Sequence, residues 1–390
     1  MLDREKSVIG VLLLLSSMLT MMSGAIIAPS LPAISNYFHS TPNSEFLTKI
    51  VLTTPAFVIT FTAPFVGALS RRTGKIRLLL SAYILYAISG SIGLYVDTLY
   101  AILAGRMFFG LSVAVILTIT TTLIGDYFSG AQRSKFISIQ GSFVSIGGIV
   151  FISFAGFLAD LSWRYPFAMY LFPLLFFVPA LKYLYEPDIS SEESPKDSGG
   201  KVKKLSNYVV GYIYILGFLG MVLFYLIPVH LPFLIVNELG ESASTTGIAI
   251  AIMSVSGATI SWFYKNIKAR FGFFQIFFSS FFLMGIGFIV ITLAPTIVIL
   301  IFGLIISGYG LGLLIPNSNL FFIDNASPAR RTSLLGGLSS AFFIGQFLST
   351  VLSDPVFRST GTQAGFLYFA ISSFIISILV MVILQVRKNK

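Results

Sequence analysis

Long apolar runs divide the chain into segments of similar length. Twelve runs of mostly apolar residues alternate with short polar segments over the 390 residues. Each run is long enough to cross a bilayer as a helix, which takes about 20 residues. We therefore predict an all-α membrane protein with twelve transmembrane helices, at residues 7–30, 46–69, 76–96, 99–125, 134–159, 164–186, 207–237, 244–264, 272–294, 296–321, 332–353 and 363–386.

The composition supports a membrane protein. The chain is 56% hydrophobic and only 10% charged, whereas a soluble domain carries about 25% charged residues. The first run begins at Ser7, is too long for a signal-peptide core and lacks a small-residue cleavage site. We therefore expect it to be retained as the first helix.

The two halves of the chain repeat at a shift of 198 residues. The repeated pairs are Arg72 and Arg270, Gly74 and Gly272, Gly105 and Gly303, Gly110 and Gly308, Asp126 and Asp324, and Arg133 and Arg331. A polar stretch rich in Ser, Gly and charge, residues 187–206, separates the halves and is typical of a flexible linker. We predict two pseudo-symmetric six-helix bundles, 1–186 and 207–390. Parallel halves around a central path are the build of many secondary transporters.

The basic residues predict the orientation in the membrane. Of the 25 lysines and arginines, 21 lie on the linker side or at the termini. Lys49, Arg164 and Arg358 lie on the other side, and Arg106 lies within a run. The positive-inside rule then predicts a multi-pass protein of the cell membrane with both termini and the linker in the cytoplasm. The net charge of +10 is thus an orientation signal, and we expect no nucleic-acid partner.

Four segments carry a family resemblance. Residues 67–77 read GALSRRTGKIR, and residues 263–272 read FYKNIKARFG as a degenerate copy. The fourth run contains RMFFG at 106–110, and the fifth ends in AGFLADLSWR at 155–164. Together they resemble the major facilitator superfamily, closest to its twelve-helix drug–proton antiporter branch.

The resemblance implies the major facilitator fold and alternating access around a central cavity, which spans one, two, four, five, seven, eight, ten and eleven would line. The chain departs from the family pattern at two places. Ser70 stands where the family has an acid in the first motif. Phe151 and Ile152 stand where the antiporter branch has Gly-Pro. The second departure weakens any transfer of proton antiport from the fold alone.

A set of rim residues is predicted to act in gating. Gly67 and Gly74 would allow close helix approach and a tight turn, Asp126 would pair with Arg71 or Arg72, and Asp324 would pair with Arg270. The alternative is that these arginines only set the topology. The full predicted gating set is Gly67, Arg71, Arg72, Gly74, Asp126, Arg133, His230, Arg270, Asp324 and Arg331. His230, between Pro228 and Pro232, is the predicted gate or kink element near the outer end of span seven.

Arg106 is the one basic residue well within a span. It lies seven residues after Leu99, roughly 10 Å along a helix. A cation at that depth must face the interior or a water-filled cavity. We predict that it binds an anionic substrate or tunes a proton site; the alternative is a packing arginine bonded to carbonyls and hydroxyls. Its repeat counterpart is Leu304, an asymmetry expected of a substrate site.

Other polar residues within spans are predicted to face the centre. They could hydrogen-bond a substrate together, although each alone could instead bind a neighbouring helix. The predicted substrate-binding set is Arg106, Gln140, Tyr225, Asn317, Asn319 and Gln346.

The acids are placed at the ends of the predicted spans. All 15 fall in loops or near helix ends, and none lies at the centre of a span, where a proton-coupled carrier usually keeps a carboxylate. Proton coupling would then use a rim acid, His230 or an indirect route. The pattern argues against a cation-selective pump and favours a neutral or anionic substrate.

Several classes are unsupported by the sequence. There is no cysteine and no G-x-x-x-x-G-K-[ST] motif, and the glycines at 147–148 and 308–312 lie in apolar runs, where they favour helix packing. We expect no enzyme activity, no cofactor and no metal site.

We predict a monomeric secondary transporter in the lipid bilayer that exports a small neutral or anionic amphiphile, coupled to a proton gradient. The alternatives are an uptake carrier or facilitator for an organic anion or nutrient, and a non-transporting membrane receptor on the same fold.

Overall fold

The computed structural model describes residues 3–187 and 205–388. Within those ranges the chain forms fourteen α-helices and no strand. The helices are α1 (Asp3–Ala25), α2 (Leu31–Tyr37), α3 (Ser44–Thr73), α4 (Lys75–Gly90), α5 (Leu99–Tyr127), α6 (Gly130–Leu161), α7 (Leu174–Tyr183), α8 (Asn207–Phe233), α9 (Ala243–Trp262), α10 (Tyr264–Arg270), α11 (Phe273–Thr292), α12 (Ile297–Asn325), α13 (Pro328–Thr360) and α14 (Thr362–Lys388). Short 3-10 turns cover Ala28–Ser30, Ser91–Leu94 and Tyr165–Leu171, and a π-turn covers Leu234–Glu238.

The helices confirm the predicted fold class. Twelve helical segments of the described chain are long and apolar enough to cross a membrane. Each overlaps one predicted span, and most boundaries differ by three residues or fewer. The remaining short helix, α10, lies between the eighth and ninth spans.

The first span runs beyond its predicted end at residue 30. It continues through the turn at Ala28–Ser30 and through α2 to Tyr37. Pro29 and Pro32 do not stop it because each lies in the first turn of its segment, where no intrahelical partner for its missing N–H is needed.

The eleventh span was predicted to end at residue 353, and it too is longer. Helix α13 continues past Asp354 and Pro355 to Thr360. Asp354 forms an ion pair with Arg358 one turn later, and such a pair supports a continued helix. Asp354 is therefore inside a spanning helix, whereas the predicted span ended one residue before it.

The chain divides into two compact units, residues 1–196 and 197–390. The boundary falls inside the predicted linker 187–206, most of which lies outside the described residues. In the N-terminal unit, α5 packs against α3, α4 and α1, and α1 packs against α6. In the C-terminal unit, α11 packs against α12 and α14, α8 against α13, and α9 against α12.

Glycines bring backbones together in the C-terminal unit. A Cβ on Gly312 would lie 2.2 Å from the carbonyl oxygen of Gly257 on α9. A Cβ on Gly310 would lie 2.6 Å from the carbonyl oxygen of Ser280 on α11. Alternate glycines of α12 thus contact different neighbours, as expected where small residues allow close helix approach.

Replacement of Gly312 by alanine should lower the thermal stability of the purified protein, because the added methyl group meets rigid backbone. We expect a loss of about 1–3 kcal/mol, as is usual for an overpacked core. The matched control is Gly211→Ala on α8, where an added Cβ meets no atom within 4 Å. Equal melting temperatures for the two variants would contradict the close contact.

Candidate functional site

Arg106 is at the centre of the N-terminal unit. Its side chain is completely buried. Its Nε donates to the carbonyl oxygen of Val51 on α3 at 3.1 Å, and its Nη2 donates to that of Ser23 on α1 at 2.9 Å. One side chain on α5 thus binds two other spanning helices through their backbones.

Aromatic rings complete the surroundings of this guanidinium. Its Cζ lies 4.4 Å from the ring centroid of Phe109 and 5.2 Å from that of Tyr170. Cation–π contacts of this kind stabilise a desolvated arginine. Nη1 has no hydrogen-bond partner within the described part of the chain. This geometry matches the packing alternative, and direct contact with substrate stays a prediction.

A second polar cluster lies where α4 begins, on the linker side of the N-terminal unit. The Nζ of Lys75 and the Oδ2 of Asp126 lie 2.6 Å apart. The prediction that Asp126 pairs with Arg71 or Arg72 is therefore wrong in this structure. Both arginines are solvent-exposed, because the turn at Gly74 directs Lys75, and not the end of α3, toward α5.

Glu186 caps the start of α4. Its carboxylate accepts hydrogen bonds from the backbone N–H groups of Lys75, at 2.6 Å, and Ile76, at 3.1 Å. An acid at a helix N-terminus satisfies free donors and complements the helix dipole. The Tyr127 hydroxyl also accepts from the backbone N–H of Tyr185 at 3.1 Å. The last residues before the linker are thus bonded to α4 and α5.

The remaining predicted residues of this rim have separate roles. Gly74 has a φ of +86° and forms the predicted tight turn. A Cβ on Gly67 would meet no atom within 4 Å, so the structure shows no close approach there. Arg133 donates through Nε to the carbonyl oxygen of Phe128 at 2.9 Å, and through Nη2 to that of Gly125, which caps the end of α5.

The C-terminal unit does not repeat this ion pair. The position equivalent to Lys75 is Phe273, and Arg270 and Asp324 are both solvent-exposed. No ion pair joins these two in the described residues, so their predicted pairing is not observed. The Nε of Arg331 is buried and lacks a hydrogen-bond partner among the described residues.

The predicted substrate residues do not form one hydrogen-bonded cluster in either unit. Gln140 donates to the hydroxyl oxygens of Ser17, at 2.8 Å, and Thr121, at 3.1 Å. It therefore links α6 to α1 and α5.

Asn317 is completely buried in the C-terminal unit. It accepts from the Tyr264 hydroxyl at 2.9 Å and donates to the carbonyl oxygen of Phe273 at 3.0 Å. Asn319 donates to the carbonyl oxygen of Ile315 at 3.1 Å. These bonds serve packing between helices, or within one helix.

Two further predicted residues belong to the C-terminal unit. Tyr225 is buried on α8, with its ring centroid 5.4 Å from that of Phe224. Gln346 is half-buried on α13. It makes no hydrogen bond through its side chain among the described residues, which leaves its amide available to a ligand.

His230 joins α8 to α13. Its Nε2 lies 2.7 Å from the Ser353 hydroxyl, and its ring stacks on Phe357 with the centroids 3.6 Å apart. The side chain is buried. His230 is thus held in a helix–helix contact, and its role as a gate or kink element stays a prediction.

An acid just outside the predicted eleventh span lies beside this contact. Asp354 is 4% exposed, and its Oδ2 lies 2.6 Å from the Nε of Arg358. Ser353, which contacts His230, is its neighbour in the chain. A buried carboxylate within a spanning helix is the usual mark of a functional position.

Lys75, Glu186 and Asp354 are functional candidates that the sequence analysis left out of its sites. Lys75 is part of the quoted motif, and the Glu-Pro pair at residues 186–187 marks the end of span six. Asp354 precedes Arg358 at the i, i+4 spacing of a helical ion pair, and that spacing was a usable signal. No cluster of metal-ligating side chains occurs among the described residues.

A double-mutant cycle should detect the Lys75–Asp126 pair. Lys75→Met and Asp126→Leu should each lower the melting temperature, because each leaves a partly buried charge without its partner. The double variant should recover, with a coupling of about 1 kcal/mol or more.

The matched control is the cycle of Arg72→Gln with Asp126→Leu. It should show additive losses, because Arg72 is exposed. Coupling to Arg72 and none to Lys75 would refute the observed pairing.

Known proteins share this architecture. The xylose transporter XylE from E. coli, solved in an inward-open conformation, superposes with a TM-score of 0.77 at 14% identity, over 96% of this chain and 95% of that one. At this identity the likeness shows the fold alone.

Sequence relatives extend over most of the chain. The Bacillibactin exporter of Bacillus subtilis (strain 168) is 25% identical over 369 residues, which are 90% of each protein. The Quinolone resistance protein NorA of Staphylococcus aureus (strain MSSA476) is 23% identical over 332 residues, 77% of this chain and 80% of NorA.

A sequence model of the Major Facilitator Superfamily matches residues 13–275 and 213–390. These two matches together cover nearly the whole chain, including both units and the segments that carry the rim and the buried arginine. The protein therefore belongs to the Major Facilitator Superfamily, and it is a multi-pass membrane transporter and not an enzyme.

Proposed function

We propose that the protein exports a small neutral or anionic amphiphile across the cell membrane, driven by a proton gradient. The observation that carries export is that a relative aligned over most of the chain is named the Bacillibactin exporter, and a second such relative is named for quinolone resistance. In this proposal the protein acts as a monomer. Both of its termini lie in the cytoplasm, an orientation that the lysine and arginine distribution favours.

Transport proceeds by alternating access, with residues 1–186 rocking against residues 207–390. The predicted rim set acts in this motion, and Lys75 and Glu186 join it. The Lys75–Asp126 pair and the Glu186 cap support this role because they hold α4, α5 and the end of α7 together. A rigid N-terminal rim lets the unit move as one body.

The charged group buried in the N-terminal unit supports a neutral or anionic substrate. Among the described residues, Arg106 is a fully buried cation with no carboxylate bonded to it. We assign it a positioning role, in which it fixes α1, α3 and α5 around the substrate path. Gln346, whose side chain makes no hydrogen bond among the described residues, is the polar group best placed to contact substrate from the C-terminal unit, and Tyr225 stays a predicted contact.

Asp354 and His230 are the groups that support proton coupling. Asp354 is buried and paired with Arg358, whose side chain is 40% exposed. If Arg358 moves into water, the buried carboxylate loses this counter-charge. His230 contacts the neighbouring Ser353, so a change at Asp354 reaches the α8–α13 contact directly.

Flux of bacillibactin and of a quinolone into inside-out proteoliposomes tests this function. Proteoliposomes that contain the wild-type protein should accumulate at least one of the two compounds. They should do so only when the vesicle interior is made more acidic than the outside. Asp354→Asn should keep downhill exchange and lose gradient-driven accumulation about tenfold or more, because the neutral amide cannot bind a proton.

Glu45→Gln is the matched control, since Glu45 pairs with Lys49 in the same i, i+4 geometry but is 48% exposed. Equal flux with and without the gradient would rule out proton coupling. Accumulation only with the opposite orientation of the gradient and the protein would indicate uptake, and no flux of any amphiphile would favour a receptor.

Arg106→Lys separates positioning from direct substrate contact. A positioning role predicts a lower melting temperature and a similar loss of transport, about tenfold, for a carboxylate and for its neutral ester. Lysine keeps the charge but lacks the planar set of donors that reaches two carbonyls.

The measurement is a paired assay of flux and thermal stability. Selective loss of the carboxylate with unchanged stability would instead establish Arg106 as a contact for the anion. Arg77→Lys, on an exposed arginine, is the control for the substitution itself.

A further inference from the structure

Helix α10 lies at a membrane boundary of the C-terminal unit. The eighth span ends at Trp262, the ninth begins at Phe273, and α10 (Tyr264–Arg270) occupies most of the interval. Tyr264 is buried and its hydroxyl donates to Asn317 at 2.9 Å. The face of α10 that carries Tyr264 therefore packs against the unit, and its other side chains are exposed or half-buried.

Large aromatic side chains flank α10 and are exposed. Trp262 is 83% exposed, Phe263 50% and Phe271 51%. Aromatic residues at the ends of spanning helices typically lie at the level of the lipid headgroups. The other tryptophan of the chain, Trp163, is buried, so exposure is specific to the α10 position.

Three cations lie between these rings in the sequence. Lys265 and Arg270 are exposed, and the Nζ of Lys268 lies 3.8 Å from the ring centroid of Phe273. No acid occurs in the sequence between Glu241 and Asp324. Among the described residues none of the three cations forms an ion pair with a carboxylate.

The equivalent turn of the N-terminal unit is built differently. There Lys75 pairs with Asp126, and Glu186 caps the helix that follows. At the C-terminal turn Phe273 replaces the lysine and the capping group is the local side chain of Gln275, which accepts from the Gly272 N–H at 2.8 Å. The carboxylates of Asp126 and Glu186 at the N-terminal turn thus have no equivalent at the C-terminal turn, within the described residues.

We propose that Trp262, Phe263, Lys265, Lys268, Arg270 and Phe271, named here the α10 surface, bind the headgroups of anionic phospholipids. The three cations contact the lipid phosphates, and the aromatic rings insert between the upper parts of the acyl chains. Basic residues next to a spanning helix attract anionic lipid, and exposed aromatic rings require an apolar neighbour. A bilayer leaflet supplies both, whereas free phosphate supplies only the first.

Trp262 itself can report the contact. The full-length protein is placed in bilayers of phosphatidylcholine that contain a minor fraction of brominated lipid, either phosphatidylglycerol or phosphatidylcholine. Bromine quenches tryptophan emission at contact distance. Trp262→Phe gives the background from Trp163, so the difference belongs to the α10 surface.

We expect brominated phosphatidylglycerol to quench Trp262 more strongly than brominated phosphatidylcholine. The variant Lys265→Gln/Lys268→Gln/Arg270→Gln should reduce this preference by at least about tenfold, given the contribution of each basic residue near an anionic surface. The control Arg77→Gln/Lys135→Gln/Lys182→Gln removes three exposed cations of the N-terminal unit and should keep the preference.

Three results would overturn the proposal. One is equal quenching by the two lipids, and another is equal loss of preference in the control variant. The third is reversal of the preference by inorganic phosphate, but not by chloride, at constant ionic strength, which would show a site for free phosphate. If the triple variant is unstable in detergent, single Lys265→Gln and Arg270→Gln variants with intermediate preferences serve in its place.

Discussion

A cation buried in an apolar helix is the constraint on which the N-terminal unit depends. Arg106 cannot be left without partners in a region that excludes water, because an unpaired charge there is very costly. Its donors therefore require the carbonyl oxygens of Val51 and Ser23 at fixed positions. Meeting that requirement sets how α1 and α3 lie against α5. The C-terminal unit, with Leu304 at the equivalent position, uses backbone contact at glycines to fix its helices.

The two units thus share the order of their spanning helices and differ in the contacts that stabilise each unit internally. In the first, the hydrogen bonds of Arg106 and the Lys75–Asp126 pair join helices, together with a close glycine contact of Gly110 with Pro55. In the second, α9, α11 and α12 contact one another closely at glycines. Its buried polar groups His230 and Asp354 lie near the C-terminal ends of α8 and α13. The repeat between the two halves accounts for their similar fold. The polar groups that are not repeated can serve a different function in each unit.

The spans, the turn at Gly74 and the depth of Arg106 were predictable because each depends on local sequence. Partners across helices were not. Asp126 was predicted to pair with Arg71 or Arg72, whereas the backbone direction after Gly74 brings Lys75 to Asp126 instead. Asp354 was misplaced because an acid followed by proline resembles a helix end, and its ion pair with Arg358 outweighs that signal. The hydrogen bonds of Asn317 likewise depend on Tyr264, 53 residues away in the chain.

Helix α5 carries both Arg106 and Asp126 in one uninterrupted segment, Leu99–Tyr127. The two residues are 20 positions apart, or about 30 Å along the helix axis. A rod of that length converts a small tilt at one end into a displacement at the other. Loosening the Lys75–Asp126 contact at the rim would therefore shift the guanidinium of Arg106 against the carbonyls that hold it. Through this leverage, a partly buried ion pair at the rim influences the geometry around Arg106 without any chain of side chains between them.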